Sequence, residues 1–160
     1  MALGVALIEP KIPPNTGNIA RLCAATGAAL HLIEPLGFQM DDGDLRRAGL
    51  DYWPDVDLWT HPHWRAFRAA VAHDRCLYFS THGERSYLEA PFAPNSVLVF
   101  GSETDGMPEQ IREKHPDQLF RISMTSAVRS LNLATAVAIV MYEAIRQIDV
   151  RLDDTGRHIP

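Results

Sequence analysis

The chain has 160 residues, 46% of them hydrophobic, with 15 Lys+Arg against 20 Asp+Glu and a formal charge of −5. A domain of this size buries about 70% of the surface its unfolded chain exposes, so neither disulfides nor a structural metal is required for it to fold. The acidity excludes a histone-like, wholly basic nucleic-acid coat, whose binding rests on cations spread over most of a surface, but it leaves room for a local basic site.

In chain order, Gly4 to Ile8 reads as a first strand, because no basic region precedes it and Glu9 follows it directly, unlike a signal peptide. A helix is expected to open on Asn15 as N-cap and close at Gly27, with Ile19, Leu22, Cys23 and Thr26 on its apolar face and Arg21 pointing away. Ala29 to Ile33 forms the next strand. His61 and His63, separated by Pro62, read as a loop pair and not a metal site, since nothing nearby completes one. A helix over His63 to Ala72 turns Trp64, Phe67 and Val71 inward. Strands follow at Cys76 to Ser80, Val97 to Phe100 and Leu119 to Ser123, with a short helix starting on Pro108. Cys23 and Cys76 lack CxxC spacing and read as two small buried hydrophobes in a reducing cytoplasm.

The last helix, Leu131 to Ile148, carries one apolar stripe of Ala134, Val137, Ala138, Met141, Ile145 and Ile148 and a second face marked by Leu131, Thr135, Ile139 and Tyr142. Covering a sheet needs one stripe, so the second predicts a subunit partner. Its apolar run is far shorter than the ~20 residues of a membrane span, and no membrane partner is expected. The alternation of strands and helices predicts an α/β domain with a mostly parallel sheet and helices on both faces over residues 1–151, followed by a frayed tail at 152–160.

Three segments carry more polar residues than turns require. Pro13-Pro14-Asn15-Thr16-Gly17-Asn18-Ile19-Ala20-Arg21 enters a helix whose start offers free N–H groups to an anion, although taken alone an Asn cap beside a solvated Arg is the better account. Gly101-Ser102-Glu103-Thr104-Asp105-Gly106-Met107-Pro108 follows an apolar strand, where α/β sheets place ligands, yet it matches neither GxGxxG nor a P-loop and by itself could be a plain turn. Ile122-Ser123-Met124-Thr125-Ser126-Ala127-Val128-Arg129-Ser130-Leu131-Asn132 leads into the last helix, with Ser130 or Asn132 as cap. Arg46 and Arg47 are further candidates for phosphate grip, or else part of a solvated face beside Asp41, Asp42 and Asp44.

In this order, together with Leu30 to Phe38 and Leu45 to Tyr52, the segments resemble the SPOUT superfamily of S-adenosylmethionine-dependent RNA methyltransferases. The resemblance is to the branch that methylates ribose 2′-hydroxyls, and within it to the small tRNA wobble-nucleotide enzymes, and it runs from Ala6 to Gln147. It departs at Ser102 and Ser123, where that family commonly has Pro, and at Asp105, where it has a basic residue.

The resemblance implies a C-terminal trefoil knot, a cytoplasmic homodimer, and methyl transfer to nucleotide 34 (cytidine or modified uridine) of tRNA, with leucine isoacceptors as the expected substrates and with neither DNA nor a metal involved. Another tRNA position, ribosomal RNA, or a cofactor-binding RNA regulator without turnover are the alternatives. It further implies that Phe79, Ser80, Gly101, Glu103, Gly106, Ile122, Met124, Ser130 and Leu131 hold S-adenosylmethionine. Asn15, Arg21, Glu103, Ser130 and Asn132 match catalytic positions, and Arg21, Arg46, Arg47, Arg129 and Tyr142 are the implied RNA contacts.

Overall fold

A computed structural model describes residues 3–41, 43, 47, 53–148, 151, 152, 158 and 159. The apolar runs form the strands β1 (Gly4–Ile8), β2 (Ala29–Ile33), β4 (Cys76–Phe79), β6 (Val97–Phe100) and β7 (Leu119–Arg121). Every residue of β1, β4 and β6 is buried, as expected of parallel strands covered on both faces. With β3 (Leu58–His61) and β5 (Arg85–Ser86) they make one seven-stranded, all-parallel sheet in the order β3-β2-β1-β6-β4-β7-β5.

The two-residue period of the strands sorts the core into two layers. Val5, Leu7, Leu30, Leu98 and Phe100 pack against α1 (Pro13–Thr26) and α4 (Leu133–Gln147). Ala6, Ile8, Tyr78, Val97 and Val99 face the other way, onto Phe67 of α2 (Trp64–Ala70) and Ile111 of α3 (Glu109–Lys114). Helices therefore cover both faces, and Cys23 and Cys76 are both buried free thiols. Among the described residues no helix is long and apolar enough to cross a membrane, and no cluster of three or more His, Cys, Asp or Glu could hold a metal.

Several sequence expectations are corrected. Helix α1 starts at Pro13, and its N-cap is Ile12, whose side chain caps nothing; Asn15 lies inside the first turn and is buried. Pro at the first helical positions gives up an N–H that the helix would leave unpaired anyway. The expected C-terminus holds, since Gly27 caps α1 in the left-handed conformation at φ 70°. His61 and His63 are not a loop pair. His61 ends β3, buried, with its Nε2 3.0 Å from His31 Nδ1, whereas His63 caps α2 by accepting the Ala66 N–H at 3.1 Å.

Helix α4 begins at Leu133, not Leu131, because the Asn132 side chain accepts the Thr135 N–H and sets the start there. Pro108 stands at the N-cap of α3 and not at its first residue. Of the tail, the described residues Arg151–Leu152 and His158–Ile159 pair antiparallel.

Candidate active site

The carboxyl ends of β6, β4 and β7 lie side by side, and the loops leaving them enclose a cavity of about 420 Å³. A volume of that order suits a small-molecule ligand. The wall from β6 is a tight turn. Gly106 N–H donates to the Ser102 carbonyl at 3.0 Å, Asp105 N–H donates to Ser102 Oγ at 3.0 Å, and Gly106 sits at φ +66°. The turn closes so tightly on Gly101 that a Cβ there would lie 2.1 Å from the Gly106 carbonyl carbon and 2.2 Å from Met107 N. Only a residue without a side chain fits, which is the physical content of the glycine in this motif. Just past β4, Ser80 N–H donates to the Phe120 carbonyl at 2.9 Å and holds the loop at 80–83 against β7.

Glu103 projects from the β6 turn to the start of α1. Its Oε2 accepts the Lys11 N–H at 2.8 Å, and its Oε1 accepts the Ile12 N–H at 3.2 Å and Asn15 Nδ2–H at 3.5 Å. The anion expected at this helix start is thus one of the protein's own carboxylates, which the helix dipole and the N–H groups favour. Asn15 Oδ1 in turn accepts from Asn132 Nδ2 at 2.9 Å, and Asn132 caps α4. Three side chains therefore tie the β6 loop, α1 and α4 together. Asp105, two residues beyond Glu103, forms an ion pair with the Lys11 ammonium, and this hydrogen-bonded carboxylate holds the Lys11 pKa above its ordinary range.

Phe79, Ser80, Gly101, Glu103, Gly106, Ile122, Met124, Ser130 and Leu131 all line the cavity, and so does Arg129. Asn15 and Asn132 reach Glu103 through the hydrogen bonds above, outside the cavity wall. Arg21 is exposed on α1, Tyr142 is 50% exposed on α4, and neither lines the cavity. Arg47 is exposed, whereas Arg46 lies outside the described residues. Sequence reasoning missed the lining contributed by Phe100, Met107 and Leu133, and it missed Lys11 altogether. The first three stand in or beside the polar segments but carry no polar group that would mark them; a lone lysine in a connector carries no pattern that would single it out.

A layered α/β protein with a glycine-turned cavity at its strand ends belongs by architecture to the classes that bind a small cofactor at that edge. The chain belongs to the SpoU rRNA methylase family, whose model matches residues 2–142. It is 51% identical over 146 residues to the tRNA (cytidine(34)-2'-O)-methyltransferase of Burkholderia ambifaria, covering 89% of this chain and 94% of that one. A solved structure described as giving insight into the 2-OH methylation of C/U34 on tRNA superposes with a TM-score of 0.85 at 45% identity, covering 98% of each chain. The SpoU methyltransferase AviRb from Streptomyces viridochromogenes, solved in complex with AdoMet, has a TM-score of 0.81 at 26% identity and covers 91% of this chain and 57% of its own.

Proposed function

We propose that the protein transfers a methyl group from S-adenosylmethionine to the 2′-hydroxyl of nucleotide 34 of tRNA, cytidine or modified uridine, with leucine isoacceptors as the first substrates to examine. The observation that carries this reading is the cavity at the β4, β6 and β7 ends, whose wall is joined through Glu103, Asn15 and Asn132 to the helix that bears Arg21. The residues present suit the cofactor. Gly101 and Gly106 let the backbone close around a ligand, Phe79, Ile122 and Leu131 offer apolar surface to an adenine ring, and Ser80 and Ser130 supply hydroxyls.

The sulfonium supplies an already activated methyl group. When bound, it would give up that methyl by cleavage of the sulfur–carbon bond as the ribose oxygen–carbon bond forms, and the hydroxyl proton would have to leave. The protein's task is then alignment and charge control. Arg21 is not the proton acceptor, because a guanidinium stays protonated at any working pH. Its role is to hold the substrate phosphate and stabilise the developing alkoxide, with the proton passing to that phosphate or to water. Arg129 at the cavity, with Arg46 and Arg47, extends the phosphate grip, and Tyr142 meets RNA across a homodimer. Support for the dimer comes from the outer face of α4, where Thr135 and Tyr142 are exposed and Ala138 and Ile139 only half-buried. The C-terminal trefoil knot that the family resemblance implies is part of this reading. The reaction takes place in the cytoplasm and needs no metal.

The test is incubation with labelled S-adenosylmethionine and bulk tRNA from cells lacking the enzyme, followed by digestion to nucleosides. Label at the ribose of nucleotide 34 is expected. Label on a base, or on no RNA, removes the reading, and label at a ribose elsewhere reassigns the position. Arg21→Ala should lower turnover by roughly 100-fold or more, the usual effect of removing one transition-state charge partner, while S-adenosylhomocysteine affinity stays within a few-fold. Unchanged turnover would discard the role.

A further inference from the structure

We infer that Lys11 is a positioning residue for methyl transfer, acting with Asp105 to strap the cavity wall to the start of α1. This inference rests on the methyl-transfer reading above. Lys11 does not line the cavity, and its contacts are with residues that do. It does hold the β6 turn at two points: its backbone N–H donates to Glu103 Oε2 at 2.8 Å, and its ammonium pairs with Asp105 two residues later. Glu103 and Asp105 are both cavity residues. One residue thus holds the middle of this wall at two points.

Lys11 can do this because its own backbone is fixed from the other side. Glu9 N–H donates to the Ile33 carbonyl and Gly37 N–H to the Pro10 carbonyl, both at 2.9 Å. Gly37 lies so close that a Cβ there would come within 2.7 Å of Lys11 Cα. The connector at 9–12 is therefore clamped against the segment after β2, and the strap transmits that fixed position to the turn, adding the Asp105 pair to the anchors that Ile12 and Asn15 already give Glu103. The side chains of the pair are 41% and 71% exposed, so it adds little to global stability, as is usual for surface ion pairs. Its effect belongs to the shape of the site and not to the fold.

Charge exchange separates these roles. Lys11→Glu, Asp105→Lys, the double exchange, and Lys11→Arg would be compared by calorimetric titration with S-adenosylhomocysteine and by steady-state methylation of bulk tRNA. Each single reversal should weaken S-adenosylhomocysteine binding and raise the KM for S-adenosylmethionine by about 3- to 10-fold, with kcat at saturation changed less, and the double exchange should return both to within about 2-fold, the signature of a directly coupled pair. Lys11→Arg should stay near the wild type. Thermal melts of the four variants should agree, since the pair is exposed. Single reversals that bind like the wild type, or a double exchange whose losses merely add, would overturn the inference. If the wild-type protein itself binds no S-adenosylhomocysteine, the underlying reading fails first, and that outcome is distinct.

Discussion

Two parts of the sheet concentrate polar and aromatic side chains, and they do opposite things with them. At the β4–β6–β7 ends, glycines let the backbone fold close and leave a cavity, with Glu103, Asn15 and Asn132 spending their hydrogen bonds on holding its wall. At the β2–β3 edge the space is filled. His31 and His61 are bonded ring to ring, Phe67 meets both edge-on with centroids 5.6 and 5.3 Å away, and Trp59 stacks on His31 from outside. The same kinds of residues that look catalytic in a sequence are packing material there. What separates the two regions is whether the backbone leaves a void, and glycines at close approach are the sign of it.

Substitutions in each region should therefore fail in different ways. The largest effect expected is that of Gly101→Ala, because its methyl would collide with fixed backbone at Gly106 and Met107 and the turn must open. S-adenosylhomocysteine affinity by calorimetry should fall by about 100-fold or more, the order of effect when close geometry in a site is lost; binding within a few-fold of the wild type would show that the turn is not the wall. Next is Phe67→Ala, which empties a fully buried site and should cost about 3–5 kcal/mol in denaturant unfolding while leaving turnover of the folded fraction intact. A loss of turnover without a loss of stability would erase the distinction between the regions.

The smallest effect is one of pH. Burial, and then the neighbouring His61, push the His31 pKa down to about 4, against an ordinary 6.5. The unfolded chain therefore binds a proton that the folded protein refuses, so this contribution to stability is complete above pH 6.5 and is lost as pH falls toward 4. His61 is shifted in the same direction by its own burial. Thermal midpoints between pH 7.5 and 5 should fall less steeply in His31→Gln than in the wild type. Parallel slopes would show that the histidine edge is not the titrating element.

The strands were legible where both faces are covered. Gly4–Ile8 and Val97–Phe100 are unbroken apolar runs, buried throughout, and emerge with the expected bounds, as does Ala29–Ile33, whose run is interrupted by His31. Strand β3 was not legible, because Leu-Trp-Thr-His lies at the sheet edge with Trp59 and Thr60 exposed, and its hydrophobic signal is too thin. Strand β5, two residues long, has no pattern at all. The same limit applies at the site. Asn15 sits where a local rule reads a helix cap, but its partners are 88 and 117 residues away, and no local rule reaches them. The glycines and Glu103 were legible through the resemblance of the whole loop, not by a local rule, since Glu103 meets its partners at Lys11, Ile12 and Asn15.

The register of the sheet has a consequence for biosynthesis. Strand β1 pairs with β6, Gly4 opposite Val97, so the first strand made waits for more than half of the chain before its second neighbour exists. The link from Asn15 to Asn132 closes later still. Such non-local pairing slows folding. The site is thus among the last parts of the molecule to be completed as the chain leaves the ribosome, and a ligand that binds only the finished cavity would select finished molecules, drawing the folding equilibrium toward them.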